Sequence, residues 1–279
     1  MFAILLTALV AGGGYLWFQH QRFEASTDAL RHETIATPAG SGGAQLPDIV
    51  RAYALRAGGT PGGPAAIHLR HRAQLATAAG RPPMPIEADQ WLATGQSNFV
   101  WLAGGSMFGL PVSVLDSFVD GAGRLDARLL GAVQMAGGSG PEFDRGEVQR
   151  YLSELPVHPD AILNNTELAW RQLSETSVEV SAPTGSRPAS VRFIFDAAGD
   201  IVAMEADDRP MTVGNTTVPT PWRGTYGAYK RFGRYRIPSY GEVGWVLPEG
   251  LSIYWRGEVT AYEPVFGPAA DRSPEPRQQ

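Results

Sequence analysis

The dominant pattern along the chain is an alternation of apolar and polar positions. Ile253, Trp255 and Val259, for example, alternate with polar residues. A period of two is typical of strands that present different side chains to their two faces. Segments of this kind recur, and turn sequences such as Asp120-Gly121 separate them. The pattern predicts about a dozen strands, most of them antiparallel.

Three segments have a helical pattern instead. In 141–155 apolar residues return every three or four positions, and acidic residues stand in the first turn, where the helix dipole favours them. Shorter helices are expected near 47–56 and 159–164, each with a proline at its start. Together these elements predict an α+β fold, in which a strongly curved sheet or half-barrel is covered by an N-terminal helix and a central helical insertion.

The N-terminus differs from the rest of the chain. Residues 1–18 carry no charged side chain and end in a group of aromatic residues, as expected of a bilayer-spanning segment. The segment 1–19 is therefore predicted to be a single transmembrane anchor, with a cleaved signal peptide as the alternative, and the side of the membrane is left open. We expect a flexible tether over 20–45, one β-rich domain over 46–265 and a disordered tail over 266–279.

Composition narrows the range of functions. The net charge is −5 and basic residues do not cluster, which argues against nucleic acid as a partner. The absence of cysteine excludes disulfides, thiolate nucleophiles and cysteine–zinc sites. His68 and His71 stand three apart on a predicted strand, so they point to opposite faces and do not share a metal ion easily. We predict no metal and no cofactor.

The C-terminal strands carry the candidate site. They combine large aromatic residues with acidic and basic side chains, which would form a buried polar cluster if they shared the concave face of the sheet. Such a cluster is either a structural ion network or an anchor for a ligand. The residues predicted to bind a ligand are Trp222, Arg223, Glu205, Glu242, Trp245, Trp255 and Arg256. The other acidic residues are assigned to no site.

Several short motifs together resemble an uncharacterised bacterial family, the domain of unknown function numbered sixty-five forty-four. They cover residues 46–262 and are Leu46-Pro47 with Arg51-Ala52-Tyr53, Val119-Asp120-Gly121-Ala122-Gly123, Ser139-Gly140-Pro141-Glu142, Arg150-Tyr151-Leu152-Ser153-Glu154-Leu155-Pro156, Pro219-Thr220-Pro221-Trp222-Arg223-Gly224 and Tyr254-Trp255-Arg256-Gly257. The family carries no activity to transfer. The layout of the chain also resembles the half-barrels of bacterial lipoprotein carriers, although the lipid-bearing cysteine of lipoproteins is missing here.

Three functional hypotheses follow. The first is a membrane-anchored domain that binds a hydrophobic or lipidic ligand in the concave face of the sheet, with the membrane as a partner through residues 1–18. The second is a hydrolase-like enzyme that uses the Glu/Arg cluster. The third is a scaffold for another protein. The first requires a cavity, because a filled core would leave no room for a ligand.

Overall fold

The computed structural model describes residues 2–40, 45–76, 82–185, 187–214 and 216–267. The helices are α1 (Phe2–Ala36), α2 (Asp48–Arg56), α3 (Pro141–Ser153) and α4 (Pro159–Asn164), and a 3-10 turn (Leu155–Val157) precedes α4. The strands are β1 (Ala66–Leu75), β2 (Met84–Ala93), β3 (Phe99–Met107), β4 (Leu110–Val119), β5 (Ala122–Leu129), β6 (Val133–Gly138), β7 (Ala169–Gln172), β8 (Ser177–Ala182), β9 (Ala189–Phe195), β10 (Ile201–Val213), β11 (Thr216–Phe232), β12 (Tyr235–Leu247) and β13 (Gly250–Val265).

Over these described residues, thirteen strands form one antiparallel sheet in the order β6-β5-β4-β3-β2-β1-β13-β12-β11-β10-β9-β8-β7. Most neighbours in the sheet are also neighbours in sequence. The exception is the pairing of β1 with β13, which joins the N-terminal and C-terminal halves of the chain. The predicted fold class, a curved antiparallel half-barrel with an N-terminal helix and a central helical insertion, is confirmed.

Tight turns set the register of the hairpins. Asp120 and Gly121 connect β4 to β5 and both have positive φ, 50° and 81°. A two-residue hairpin with positive φ at both central positions matches the right-handed twist of its strands. The register that results pairs Val119 with Ala122 and continues without a shift to Val112 and Leu129.

The hydrophobic core lies between the concave face of the sheet and the helices α2, α3 and α4. Its largest buried members include Tyr53 on α2, Tyr151 on α3 and Phe99 and Phe193 on the sheet. The Tyr53 hydroxyl donates to the carbonyl of Pro156 at 2.8 Å and so links α2 to the turn after α3. The helices thus close over one end of the sheet and leave space beneath α3.

Helix α1 lies on the opposite, convex face. Phe23 is 1% exposed and packs with Val100, Leu115 and Val119 of β3 and β4. The structure therefore corrects the expected tether over 20–45, because its residues up to Ala36 are helical. The sequence analysis missed a buried stripe that explains why this segment is helical. Positions 23, 27, 34 and 37 are buried and recur at helical spacing, and Leu30 between them is partly buried. Residues 41–44 of that segment lie outside the described residues.

The expected membrane anchor, residues 1–19, overlaps the first half of α1 from Phe2 onward, and residue 1 lies outside the described residues. In the part of the chain that the structure describes, no helix is both long enough and apolar enough to cross a membrane. The tail expected over 266–279 lies outside the described residues from position 268 onward.

Candidate functional site

A cavity of about 570 Å³ lies between the concave face of the sheet and the C-terminal end of α3. Its volume falls in the range of sites that hold small molecules. Met135, on the edge strand β6, lines the cavity and is 48% exposed, as expected where a cavity opens to solvent. The walls are mainly apolar and include Leu75, Met84, Trp101, Met107, Val112, Val114, Leu125, Ala127, Met135, Trp222, Val243, Trp245, Trp255 and Val259.

Tryptophan side chains from β11, β12 and β13 shape one wall. Trp222 and Trp245 are cross-strand partners, so both project to the concave side. The Trp222 indole N–H donates to the Tyr254 hydroxyl at 3.1 Å, and the Trp245 and Tyr254 rings stack with centroids 5.8 Å apart. The hydrogen bond satisfies the one polar atom of a side chain that is 1% exposed. This wall is consequently rigid and apolar.

Glycine at position 257 allows the Trp255 indole to lie flat along β13. A Cβ atom at Gly257 would stand 2.6 Å from Cζ2 of Trp255 and 2.9 Å from Cβ of Ala73. These distances are shorter than any van der Waals contact, so a side chain here would displace the indole. The indole in turn lines the cavity, which means that Gly257 sets the shape of this wall.

The end of the cavity beneath α3 is polar and largely buried. Arg150 forms ion pairs with Asp116 and, at 3.3 Å, with Glu154. Gln90 donates to the Glu154 carboxylate, and its amide oxygen lies 3.0 Å from Nε2 of His71. The Arg150 guanidinium also lies over the rings of two aromatic residues, Phe99 at 5.0 Å and Trp101 at 4.9 Å. This network joins α3 to β1, β2 and β4.

Burial changes the protonation of this network. It lowers the pKa of His71 to about 4, so that imidazole is neutral at neutral pH. It also raises the pKa of Glu154, against the opposing effect of Arg150. For Glu147, which stands one turn before Arg150 on α3, burial and then the Asp116 carboxylate raise the pKa well above its usual range. The Glu147 carboxyl therefore ionises less readily than an exposed one.

Replacing Glu147 by glutamine is expected to weaken the pH dependence of stability. Because the folded pKa is raised, the contribution of Glu147 is full below its pKa in the unfolded chain and is lost as the pH rises through the folded pKa. The neutral amide avoids that loss, so unfolding midpoints in urea should fall less toward alkaline pH than in the wild type. Glu249→Gln, at an exposed turn, is the control and should keep the wild-type profile. If the urea midpoint of Glu147→Gln depended on pH as that of the wild type does, the raised pKa of Glu147 would be contradicted.

The structure divides the predicted site residues into two groups. Trp222, Trp245, Trp255 and Glu242 lie on the cavity wall, although the Glu242 carboxylate accepts a hydrogen bond from the Tyr240 hydroxyl at 2.8 Å. The remaining three, Glu205, Arg223 and Arg256, are not among the lining residues.

Glu205 and Arg223 belong to a surface ion cluster on neighbouring strands. Glu205 pairs with Arg192, and Arg223 reaches both Glu205 at 3.5 Å and Asp207 at 2.8 Å. Arg256 is exposed and stands opposite Glu242 in the sheet. Within the described residues no ion pair joins Glu242 to the Glu205 cluster.

Besides Glu242, four charged residues that line the cavity were not assigned to a site from the sequence. They are Asp116, Arg150 and Glu154, together with Arg209 from β10. The spacing of Glu147, Arg150 and Glu154 on α3 was a signal that could have indicated a charged helix face turned toward the sheet. Nothing in the sequence separates such a face from an ordinary exposed one, because i and i+4 charge pairs are frequent on solvated helices.

The two histidines on β1 lie on opposite faces. His71 lines the cavity, whereas His68 stacks on Trp91 with ring centroids 4.5 Å apart and contacts Asp89 at 2.7 Å. Across the described ranges, no group of three histidine or acidic side chains is arranged to hold a metal ion.

A curved antiparallel sheet that closes around a cavity beneath a helix places this protein in the class of half-barrel folds. Its sequence matches the family described as "Family of unknown function (DUF6544)" over residues 38–257. Because the match spans well over half of the chain, the protein belongs to that family, as the resemblance of its motifs indicated. None of the curated proteins matches the sequence significantly.

Similar solved structures include two bacterial proteins. A LolA superfamily protein from Nitrosomonas europaea has a TM-score of 0.40 and 8% identity, with 78% of this chain and 94% of that chain covered. A putative outer membrane lipoprotein-sorting protein domain from Vibrio parahaemolyticus has a TM-score of 0.43 and 12% identity, with 77% and 90% covered.

Proposed function

We propose that this protein binds a hydrophobic or lipidic ligand in the cavity between the concave face of the sheet and α3. The observation that carries the proposal is the cavity itself, about 570 Å³ in volume and walled by tryptophan, methionine and aliphatic side chains. Protein interiors are close-packed and contain few voids larger than a water molecule, because every unfilled void weakens the fold. A space of this size with apolar walls favours an apolar occupant.

The composition of the wall supports the same proposal. Met84, Met107 and Met135 line the cavity together with the tryptophans. Methionine is flexible and polarisable, and it is frequent on surfaces that accept apolar partners of different shapes. The tryptophans supply a rigid contact surface opposite it. Ligand binding here requires no membrane attachment through residues 1–18.

Native mass spectrometry of the full chain, purified from its own host without detergent, tests the proposal. We expect a bound species of lipid-like mass that dissociates from the folded protein on collisional activation. The mass would also identify the class of ligand. A well-folded protein that carries no ligand and takes up none from added lipid would contradict the proposal.

A variant that fills the cavity gives a matched test. Ala127 on β5 lines the cavity, so Ala127→Trp is expected to place an indole in the ligand space and to abolish co-purification of the ligand. Ala122 on the same strand is exposed and lies outside the cavity. Ala122→Trp should therefore retain the ligand, and circular dichroism should show the same sheet content for both variants. Equal retention by Ala127→Trp and Ala122→Trp would place the ligand elsewhere.

A further inference from the structure

Arg209 reaches the cavity because of an irregularity in the sheet. Ala206 pairs with Trp222 and Arg209 pairs with Thr220, so β10 has one more residue than β11 between these two partners. Such a bulge shifts the alternation of side chains by one position. Arg209 consequently shares the concave side with Ala206 and Trp222, whereas regular alternation would turn it outward. Bulges of this kind often aim a side chain into a functional site.

Helix α3 holds the bulge in place. Arg145 donates to the backbone carbonyl of Asp208 at 2.7 Å and also pairs with its carboxylate. Gln149, one turn further along α3, donates to the other carboxylate oxygen of Asp208 at 3.2 Å. Arg145 is 1% exposed, whereas the Asp208 side chain remains partly exposed. The residue immediately before Arg209 is thus fixed by three hydrogen bonds from one helix.

The Arg209 guanidinium is buried but has no hydrogen-bond partner among the described residues. Its Cζ lies 4.0 Å from the centroid of the Trp222 ring and 5.7 Å from that of Trp245. The nearest carboxylate oxygen, Oε1 of Glu147, is 3.9 Å away, beyond hydrogen-bond length. Arg209 is nevertheless only 8% exposed and lines the cavity. Arg150, in the same cavity, is by contrast paired with Asp116 and Glu154.

The charge of Arg209 is also weakly compensated, because its contact with Glu147 at 3.9 Å is long. Burial and then the neighbouring Asp116 carboxylate raise the pKa of Glu147, the acid nearest to Arg209, well above its usual range, which weakens it as a counter-charge. Burying a cation without an opposite charge and without hydrogen bonds is unfavourable. A guanidinium stacked on an aromatic ring presents its N–H groups in one plane, which matches the two oxygens of a carboxylate or phosphate. The Arg209 guanidinium therefore suits an anion of that geometry.

We propose that the ligand is an amphiphile with an anionic head, whose carboxylate or phosphate oxygens bind Arg209 while its apolar chain lies among the tryptophan and methionine side chains. This inference rests on the proposed function and adds to it the chemistry and the orientation of the ligand. The head lies at the Trp222 and Trp245 wall, and the chain extends toward Met135 and the edge strand β6.

The test compares amphiphiles of equal chain length on the full-length protein after removal of bound lipid. The probes are dodecanoate, dodecyl phosphate, dodecanol and dodecyltrimethylammonium, and binding is followed by the fluorescence of the cavity tryptophans. A charge-assisted hydrogen-bonded contact predicts that at least one anion binds about ten- to a hundredfold more tightly than dodecanol. Whichever of dodecanoate and dodecyl phosphate binds more tightly identifies the chemistry of the head group. The cationic probe should bind most weakly.

Variants assign that preference to Arg209. Arg209→Met is expected to lose the preference for anions over dodecanol, whereas Arg209→Lys should keep part of that preference. Arg192→Met, which removes an arginine from the surface ion cluster, is the control and should bind all probes as the wild type does. If Arg209→Met does not fold, the same probes on the wild type and on Arg209→Lys still show whether Arg209 sets the preference for anions.

The possible failures are distinguishable. Equal binding of the anions and dodecanol by the wild type would overturn the anionic head and leave the proposed function standing. A preference for anions that persists in folded Arg209→Met would overturn the role of Arg209. If none of the probes binds, the proposed function fails together with the inference.

Discussion

Arg150→Gln is expected to destabilise the protein by about 3–5 kcal/mol, because it leaves buried carboxylates without their cation. The Arg150 side chain is 17% exposed, and its partners Asp116 and Glu154 are 14% and 22% exposed. Glutamine cannot neutralise either acid, and it also loses the contact of the guanidinium with Phe99 and Trp101. Urea-induced unfolding followed by tryptophan fluorescence measures the loss.

An exposed ion pair provides the comparison for Arg150. Arg171 pairs with Glu179 at 2.8 Å with its side chain 68% exposed. Pairs of this kind contribute less than about 1 kcal/mol, so Arg171→Gln should have a small effect. In the Arg150→Gln background, Asp116→Asn should restore part of the stability, since it removes one of the buried charges. Equal losses in Arg150→Gln and Arg171→Gln would show that the network beneath α3 is not buried in solution.

Trp222→Ala is the second change with a large expected effect, a loss of about 3–5 kcal/mol of stability. Trp222 is 1% exposed, so its removal leaves a void that adds to the cavity already present. The Tyr254 hydroxyl loses its donor, and the Arg209 guanidinium loses the ring that supports it. The free energy of unfolding in urea gives the size of the effect.

Removing an exposed aromatic residue is the control for Trp222→Ala. Phe108, in the turn between β3 and β4, is 89% exposed, and substitutions at such positions change stability by at most about 0.5 kcal/mol. Phe108→Ala should therefore unfold as the wild type does. If Trp222→Ala matched Phe108→Ala, the wall that Trp222 forms would not be part of the folded core.

The two changes act on one structural unit. Arg150 on α3 and Trp222 on β11 lie on different sides of the cavity, and both line it. Position 209 connects the two sides, because α3 fixes the bulge before Arg209 and Trp222 stacks on its guanidinium. Stability and ligand binding consequently depend on the same contacts between α3 and the C-terminal strands.

The strands and α3 were predictable because their signals are local. Alternation with a period of two marks a strand whatever its neighbours are, and the Asp120-Gly121 turn forces a hairpin through its own backbone preferences. In α3, Pro141 at the start and acids in the first turn are equally local. The tryptophans at 245 and 255 were assigned to the site on the same basis, as large apolar members of alternating strands, and they line the cavity.

Helix α1 and Arg209 show the limits of local signals. The apolar run at the N-terminus suggested an anchor followed by a tether, but positions after Phe23 form a helix that packs on the convex face. Regular alternation along β10 would have turned Arg209 away from the cavity, and the bulge reverses it. A bulge depends on the partner strand and on contacts from α3, which sequence alternation does not contain.

The sequence by itself determined that this chain forms an antiparallel sheet with a central helical insertion, since turn chemistry and periodicity act over a few residues. It also indicated aromatic side chains for one wall of a site. Only the tertiary structure decided which charged side chains come close together. Asp116, Arg150 and Arg209 come from distant segments and converge because the sheet curls around α3, whereas Glu205 and Arg223 remain on the surface. Contacts between distant segments depend on the curvature and register of the whole sheet, and no single segment encodes them.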